Sequence, residues 1–329
     1  MGSSVKKCAT WVRSSRWRVE PECRGPLGAI AVGSAGCWFA ELGDSLPEGP
    51  EIRLAADRVA AAIEGRIAEE VFFAFDRLKP YERQLSGRRV IEVTTRGKGM
   101  LTRFEGGLSV FTHNQLYGRW YVMKAGRWPK TSRQLRFSVV AGGRSALLYS
   151  ASDIEVLDAE AERRHRFLSR LGPDVLSQRP SARDLALRLQ ESRFCRRQLA
   201  ALLLDQSFVA GLGNYLRAEI LFEARLHPRL RSIDCSAEQL LTLGDRVIAL
   251  TRRTFRTRGI TLSPAVAARL RAQGQPRPAY RFWVYGRDGL PCRVCASPVR
   301  GEPVGGRRCF FCPSCQPLET ASGKGVVSK

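Results

Sequence analysis

The sequence predicts an α+β chain of several domains: a β-rich unit with a leading helix, a helical unit, and a small cysteine-centred β-hairpin. Three observations carry this. Between about Arg88 and Asp158, short β-rich runs follow one another, several of them separated by glycines and turn residues. From about Ser181 to Arg258 the apolar spacing becomes that of helices. Near the C-terminus, cysteines fall in two close pairs, Cys292/Cys295 and Cys312/Cys315.

Order begins abruptly at Leu46. In LPEGPEIRLAADRVAAAIEG, the positions Ile52, Ala56, Val59, Ala60 and Ile63 make one helical face. Residues 1–45 read differently: they carry three cysteines and three tryptophans with no sustained period, so they are expected to be unstructured. Seven runs follow the leading helix (RRVIEV, MLTRF, LSVFTH, RWYVM, LRFSVV, ALLYS and DIEVL), which suit a sandwich or flattened barrel. FLSRLGPDVL, with its Gly-Pro break, reads as the exit from that unit. QLAALLLDQSF, GLGNYLRAEILFEARL and AEQLLTLGDRVIALTRRTF supply the helical region, and the polar stretch from Gly259 to Pro278 reads as a linker. The expected boundaries are 46–170, 171–279 (helices and linker) and 280–316, with a disordered tail at 317–329.

Charge narrows the partner class. The 329 residues hold 54 Lys and Arg against 31 Asp and Glu, a formal net charge of +23. Such an excess concentrates polyanions, so nucleic acid is the expected partner. No long amphipathic basic helix points to a membrane surface, and no apolar run is long enough to span one. The apolar stretch from Pro26 to Leu42 weakly resembles a secretory signal, but its leader is too long and contains Glu20, Pro21 and Glu22. Five of the ten cysteines crowd into the last unit and the rest are scattered, which suits free thiols in a reducing cytoplasm.

CRVC…CPSC, with sixteen residues between its pairs, has the spacing for four thiolates to converge on one zinc ion. Such a closed set leaves no position for a catalytic water, so the metal is expected to be structural. Cys309 also lies three residues before Cys312 and offers an alternative register. The flanks RFWVYG and RRCFF suggest strands of a hairpin ribbon. In GLGNYLRAEIL, Gly211 and Gly213 allow a tight turn, and Asn214 falls at the start of the next helix. The exposed amides there suit a phosphate, with Asn214 adding a donor; a plain helix cap is the other reading.

Taken in order, PEGPEI, TRGKGML, THNQLYG, YSASDIE, FLSRLGPDVL, LLLDQSFVAGLGNYLRAEIL and the cysteine hairpin resemble the formamidopyrimidine-DNA glycosylase and endonuclease VIII family, closest to the bacterial endonuclease VIII branch. The resemblance spans Leu46 to Gln316. It implies an N-terminal β-sandwich, a helix–two-turn–helix domain and a zinc finger. It also implies a bifunctional glycosylase and AP lyase of base-excision repair, acting as a monomer on damaged double-stranded DNA in the bacterial cytoplasm and nucleoid-associated through that DNA. By the same resemblance Pro47 is the amine nucleophile, Glu48 the general acid/base and Lys98 a proton donor at the damaged sugar. Arg307 is the hairpin arginine at the phosphate, with Arg308 as its one-residue alternative. Gln115, Leu116 and Tyr117 fill the void left by the extruded base, with His113 beside them, and Arg170 and Asn214 meet the DNA backbone. Cys292, Cys295, Cys312 and Cys315 hold the zinc.

Pro47 follows Leu46 in this sequence, so its nitrogen is a tertiary amide and not nucleophilic. Leu46 is therefore read as an alternative start codon, with residues 1–45 a start-site artefact. A real extension removed by processing, or an inactive protein, would also account for the blocked nitrogen. PEGPEI and the Gln-Leu-Tyr triplet favour oxidised pyrimidines as substrates. A formamidopyrimidine-type enzyme for oxidised purines, or a non-catalytic zinc-ribbon DNA-binding protein, are the alternatives.

Overall fold

Helix α1 (Gly49–Ile63) begins where the sequence places it. Pro50 sits in its first turn, where a missing N–H costs nothing, and Glu51 reaches back to accept the Glu48 N–H at 3.1 Å. The computed structural model describes residues 47–319. The stretch 1–45, expected to be an unstructured artefact, and residues 320–329 of the tail lie outside the described residues.

Behind α1 stand eight strands: β1 (Ala68–Phe73), β2 (Val90–Arg96), β3 (Gly99–Phe104), β4 (Ser109–His113), β5 (Arg119–Lys124), β6 (Leu135–Ala141), β7 (Arg144–Tyr149) and β8 (Asp153–Leu157). They form two antiparallel four-stranded sheets, ordered β1-β6-β7-β5 and β2-β3-β4-β8. Side chains of both sheets and of α1 meet in one core, where Phe73 stacks on Phe137 at 4.9 Å. Burying each such aromatic contributes roughly 2–3 kcal/mol. The seven β runs read from sequence are all strands. One more, β1, precedes them together with a short helix, α2 (Lys79–Leu85), because AEEVFF shows its inward Val71 and Phe73 against a charged outer face.

The second half is helical. It contains α3 (Ala159–Arg164), α4 (Ala182–Gln190), α5 (Leu199–Leu202), α6 (Asn214–Glu223), α7 (Ala237–Thr257) and α8 (Pro264–Ala272). α4 and α6 pack on α7, whose Leu240, Leu243, Val247 and Leu250 are buried at helical spacing. Two local expectations fail here. The stretch from Gly259 to Pro278 is not simply a linker: Pro264 starts α8, whose alanines are strong helix formers although its arginines mask the period. RFWVYG is not a strand either. The amides of Trp283, Val284 and Tyr285 turn together onto the buried Glu219 carboxylate, at 2.7 to 2.9 Å, so the backbone bends around that anion. The hairpin proper is β9 (Arg300–Val304) and β10 (Arg307–Phe311), paired antiparallel. Among the described residues no helix is long and apolar enough to cross a membrane.

Candidate active site and metal centre

Two glycine-bearing segments cross where α1 meets α6. The Gly49 N–H donates to the Gly211 carbonyl at 2.7 Å. This close approach brings the Glu48 carboxylate to the start of α6, where it accepts the N–H groups of Gly213 (2.8 Å), Tyr215 (2.8 Å) and Leu216 (3.3 Å). Only glycine fits at 213, since a β-carbon there would lie 2.3 Å from Glu48 Cδ. The amides that the sequence offered to a phosphate are therefore occupied from within by Glu48. The positive end of the helix suits that anion. Burial nevertheless dominates and pushes the Glu48 carboxyl up to about 8, while Lys98 and the helix amides pull it back. Beside it, burial also raises Glu51, which accepts the Tyr215 hydroxyl at 2.9 Å.

Next to this junction opens a cleft of about 450 Å³ whose lining includes Pro47, Lys98, His113, Gln115, Leu116 and Arg307. Residues from a helix start, two strand turns and the distant hairpin are thus brought together. Lys98 sits in the two-residue turn between β2 and β3, fixed by the Gly97 N–H, which donates to Asp174 Oδ2 at 2.9 Å. Burial pushes its ammonium pKa down, opposed by the Glu48 charge, and Arg307 lowers it further. The arginine alternatives separate in space: Arg307 lines the cleft, whereas Arg308 pairs with Asp288 at 2.5 Å.

The segment Gln115–Tyr117 follows β4. Gln115 adopts φ 51 and accepts the Ser152 hydroxyl at 2.8 Å, while its own N–H donates to His113 Nδ1. The turn closes through the Gly118 N–H to the Asn114 carbonyl at 2.7 Å. It leaves Leu116 54% and Tyr117 67% exposed. Asn214, the first residue of α6, donates to the Arg308 carbonyl at 3.1 Å and accepts from Arg217. Arg170 is exposed on a 3₁₀ turn and does not line the cleft.

Cys292, Cys295, Cys312 and Cys315 bring their Sγ atoms within 4.8 Å of one another, with Cys292–Cys315 at 3.9 Å and Cys295–Cys312 at 3.4 Å. Four thiolates around tetrahedral zinc at about 2.3 Å stand roughly 3.8 Å apart, so the set fits that ion. Cys309 is not among them; it is fully buried in the core of the helical unit.

Three residues absent from the sequence-derived site hold these parts together. Arg217, fully buried on α6, donates to the carbonyls of Val304 (2.8 Å) and Arg308 (3.1 Å) and so clamps the hairpin. Gln316 links the Cys312 amide to the Leu226 carbonyl. Glu219 organises the turn before the cysteines. A signal existed: Arg217 and Glu219 are charges inside the otherwise apolar run NYLRAEILF.

The formamidopyrimidine-DNA glycosylase N-terminal domain matches residues 46–151, and its H2TH domain matches residues 171–265. Endonuclease 8 of Salmonella arizonae is 44% identical over 272 residues, which cover 82% of this chain and 100% of the relative. Endonuclease 8 of Klebsiella pneumoniae is 43% identical over 271 residues, with the same coverage. Among solved structures, the MutM (Fpg) protein of Thermus thermophilus is 31% identical, with a TM-score of 0.66 over 82% of this chain and 98% of that one. Lactococcus lactis Fpg (MutM), solved with DNA containing N7-benzyl-Fapy-dG, has a TM-score of 0.68 at 18% identity, a likeness of fold, over 82% of this chain and 100% of that one. The chain belongs to the formamidopyrimidine-DNA glycosylase and endonuclease VIII family, whose members are DNA glycosylases with AP lyase activity.

Proposed function

We propose that this protein excises oxidised pyrimidines from double-stranded DNA and then cuts the strand by successive β- and δ-elimination. The observation that carries this is the convergence of Pro47, Lys98 and Arg307 on one cleft beside the anchored Glu48. The proline amine attacks the sugar C1′, and the bond to the base breaks with its electron pair leaving on the base. Lys98 and Glu48 supply and collect protons; a carboxyl held at about 8 is partly protonated near neutrality and can do both. Ring opening leaves an iminium between the proline nitrogen and C1′, which acidifies the C2′ proton. Its removal expels the 3′ phosphate, and a second elimination expels the 5′ phosphate, with Arg307 binding the phosphate. Gln115, Leu116 and Tyr117 fill the gap left by the extruded base. Arg170 and Asn214 contact the DNA backbone, the latter from beside the hairpin.

The four cysteines hold one zinc ion, which supplies folding free energy to the hairpin that carries Arg307. The nucleophile requires Pro47 to be the first residue, and the match of the family's N-terminal domain from residue 46 supports a start there. We take the enzyme to act as a monomer in the bacterial cytoplasm, associated with the nucleoid through its DNA.

Borohydride trapping on abasic duplex tests the chemistry: the active enzyme becomes covalently attached, whereas a pure binding module does not. Pro47→Gly, Lys98→Ala and Glu48→Gln should each impair trapping, the last with little loss of affinity. Duplexes carrying thymine glycol, dihydrouracil or 8-oxoguanine separate the pyrimidine from the purine reading. Affinity should fall with salt at a log–log slope of about −0.9 per phosphate neutralised.

A further inference from the structure

Tyr215 is tied to both carboxylates of the α1 junction. Its main-chain N–H donates to Glu48 Oε1 at 2.8 Å, and its hydroxyl reaches Glu51 Oε1 and Oε2 at 2.9 and 3.0 Å. Glu51 Oε2 also accepts the Glu48 N–H at 3.1 Å. That N–H belongs to the peptide between Pro47 and Glu48, so one carboxylate oxygen fixes the plane of the peptide that carries the Pro47 ring. The tyrosine is packed in place: it is 1% exposed, with its ring against Phe282 at 5.3 Å and Tyr285 at 6.2 Å. Burial and the two carboxylates push its hydroxyl well above the ordinary phenol range, so it stays a donor.

Charge reaches this junction from every side. Glu48 faces Glu51 on its own helix, Lys98 in the β2–β3 turn, Tyr215 and Arg217 on α6, and Tyr285 before the cysteines. Arg307 of the hairpin acts on Lys98. Arg281 faces Glu51: its Nη2 and Glu51 Oε1 would each lie 3.1 Å from a β-carbon on Gly259. Burial raises the Glu48 carboxyl, Lys98 lowers it, and the Glu51 charge raises it again. Burial likewise raises Glu51, and the Tyr215 hydrogen bond and Arg281 oppose that rise.

We propose that the Tyr215 hydroxyl is a positioning group for the nucleophile and its acid: through Glu51 it orients the Pro47–Glu48 peptide and maintains the negative charge beside Glu48. The proposal rests on the reading of Pro47 as nucleophile and Glu48 as acid/base. Without the hydroxyl, Glu51 would keep its own proton to higher pH. Glu48, then less opposed in ionising, would release its proton at lower pH. Burial already lowers Lys98, which would fall further with the Glu51 charge gone. On an abasic sugar the amine adds to the C1′ aldehyde, and the amine proton passes to the oxygen. That hydroxyl then leaves as water with the Glu48 proton, giving the iminium, so the step slows once Glu48 is ionised.

The test uses the protein as its own host produces it and follows the single-turnover rate of cyanoborohydride trapping on an abasic duplex as pH is varied. Tyr215→Phe should lower the optimum rate about tenfold and leave affinity for a tetrahydrofuran duplex unchanged. It should also move the alkaline limb of the profile down by about one pH unit. Glu51→Gln keeps an oxygen for both donors but not the charge, so it should move the limb in the same direction with a smaller loss at the optimum. Rate losses with an unshifted limb in both variants would make Tyr215 a packing residue and overturn the proposal, as would a Tyr215→Phe profile identical with the wild type. Melting curves and near-ultraviolet spectra check that each variant is folded. A wild-type protein that does not trap at all would overturn the catalytic reading and this proposal with it. A trapping wild type with unshifted variants would overturn the Tyr215 proposal alone.

Discussion

The Glu48 junction and the Gln115–Tyr117 turn, proposed to fill the gap left by an extruded base, flank the cleft lined by Pro47 and Leu116 and are built in opposite ways. Glu48 is 3% exposed, and its carboxylate takes three helix amides across a crossing that admits only glycine at 213. Leu116 and Tyr117 are more than half exposed, and the turn beneath them is held by a few hydrogen bonds. Bond-making at a sugar carbon needs groups fixed to a fraction of an ångström. Filling a gap in a base stack instead needs apolar side chains held ready on a local turn. Rigidity is thus concentrated at the Glu48 junction, proposed to handle protons, and exposed apolar surface is kept at the Gln115–Tyr117 turn, which the proposed function has DNA bury.

This contrast can be broken first at its rigid side. Gly213→Ala forces a β-carbon into Glu48 and should reduce trapping and excision by about 100-fold or more, comparable to loss of a general acid–base group. Near-normal rates in a folded variant would show that the Glu48 seat is dispensable. Treatment with a metal chelator, which tests the proposed zinc site, comes next. The hairpin should unfold, and DNA affinity and strand cleavage should fall together, measured by near-ultraviolet circular dichroism and gel shift. Retained cleavage after loss of the metal would show that Arg307 does not need the cysteine module.

At the adaptable side, Leu116→Ala should lower kcat/KM on a base-paired lesion about tenfold, as expected when roughly two methylene equivalents, about 0.8 kcal/mol each, are no longer buried against the bases. On a single-stranded abasic site, which requires no gap to be filled, the loss should be small. Equal losses would make Leu116 a structural residue. The smallest effect is a pH dependence of stability. The Glu48 pKa in the fold, about 8, lies above its ordinary value of 4.5. Its contribution is fully present below the ordinary carboxylate range and is lost as pH rises through about 8. Burial raises Glu51 and Glu219 in the same direction. The melting temperature should therefore fall between about pH 5 and pH 8.5, and Glu48→Gln should flatten part of that slope.

Much of this was legible in the sequence because it depends on local pattern. Alternation gave seven strands, and two cysteine knuckles gave a cluster whose Sγ atoms do converge. α8 was hidden because arginines interrupt its apolar period, and RFWVYG looked like a strand because β propensity cannot reveal a buried carboxylate gathering its amides. The same blindness to distant partners explains the start of α6. Sequence marks an anion site there but not that Glu48, 165 residues away from Gly213, fills it. Arg217 was passed over because a helical arginine is usually solvated, whereas this one is held by hairpin carbonyls that only the tertiary fold supplies.

The central claim is that Pro47, freed at the N-terminus, is the nucleophile of this cleft. The direct measurement is borohydride trapping of the protein from its own host on an abasic duplex, followed by mass spectrometry of the cross-linked peptide and of the intact N-terminus. The expected result is a chain beginning at Pro47, with the sugar remnant attached to the Pro47 nitrogen. An active protein with residue 1 intact, or a remnant attached to Lys98 or another lysine, would contradict it.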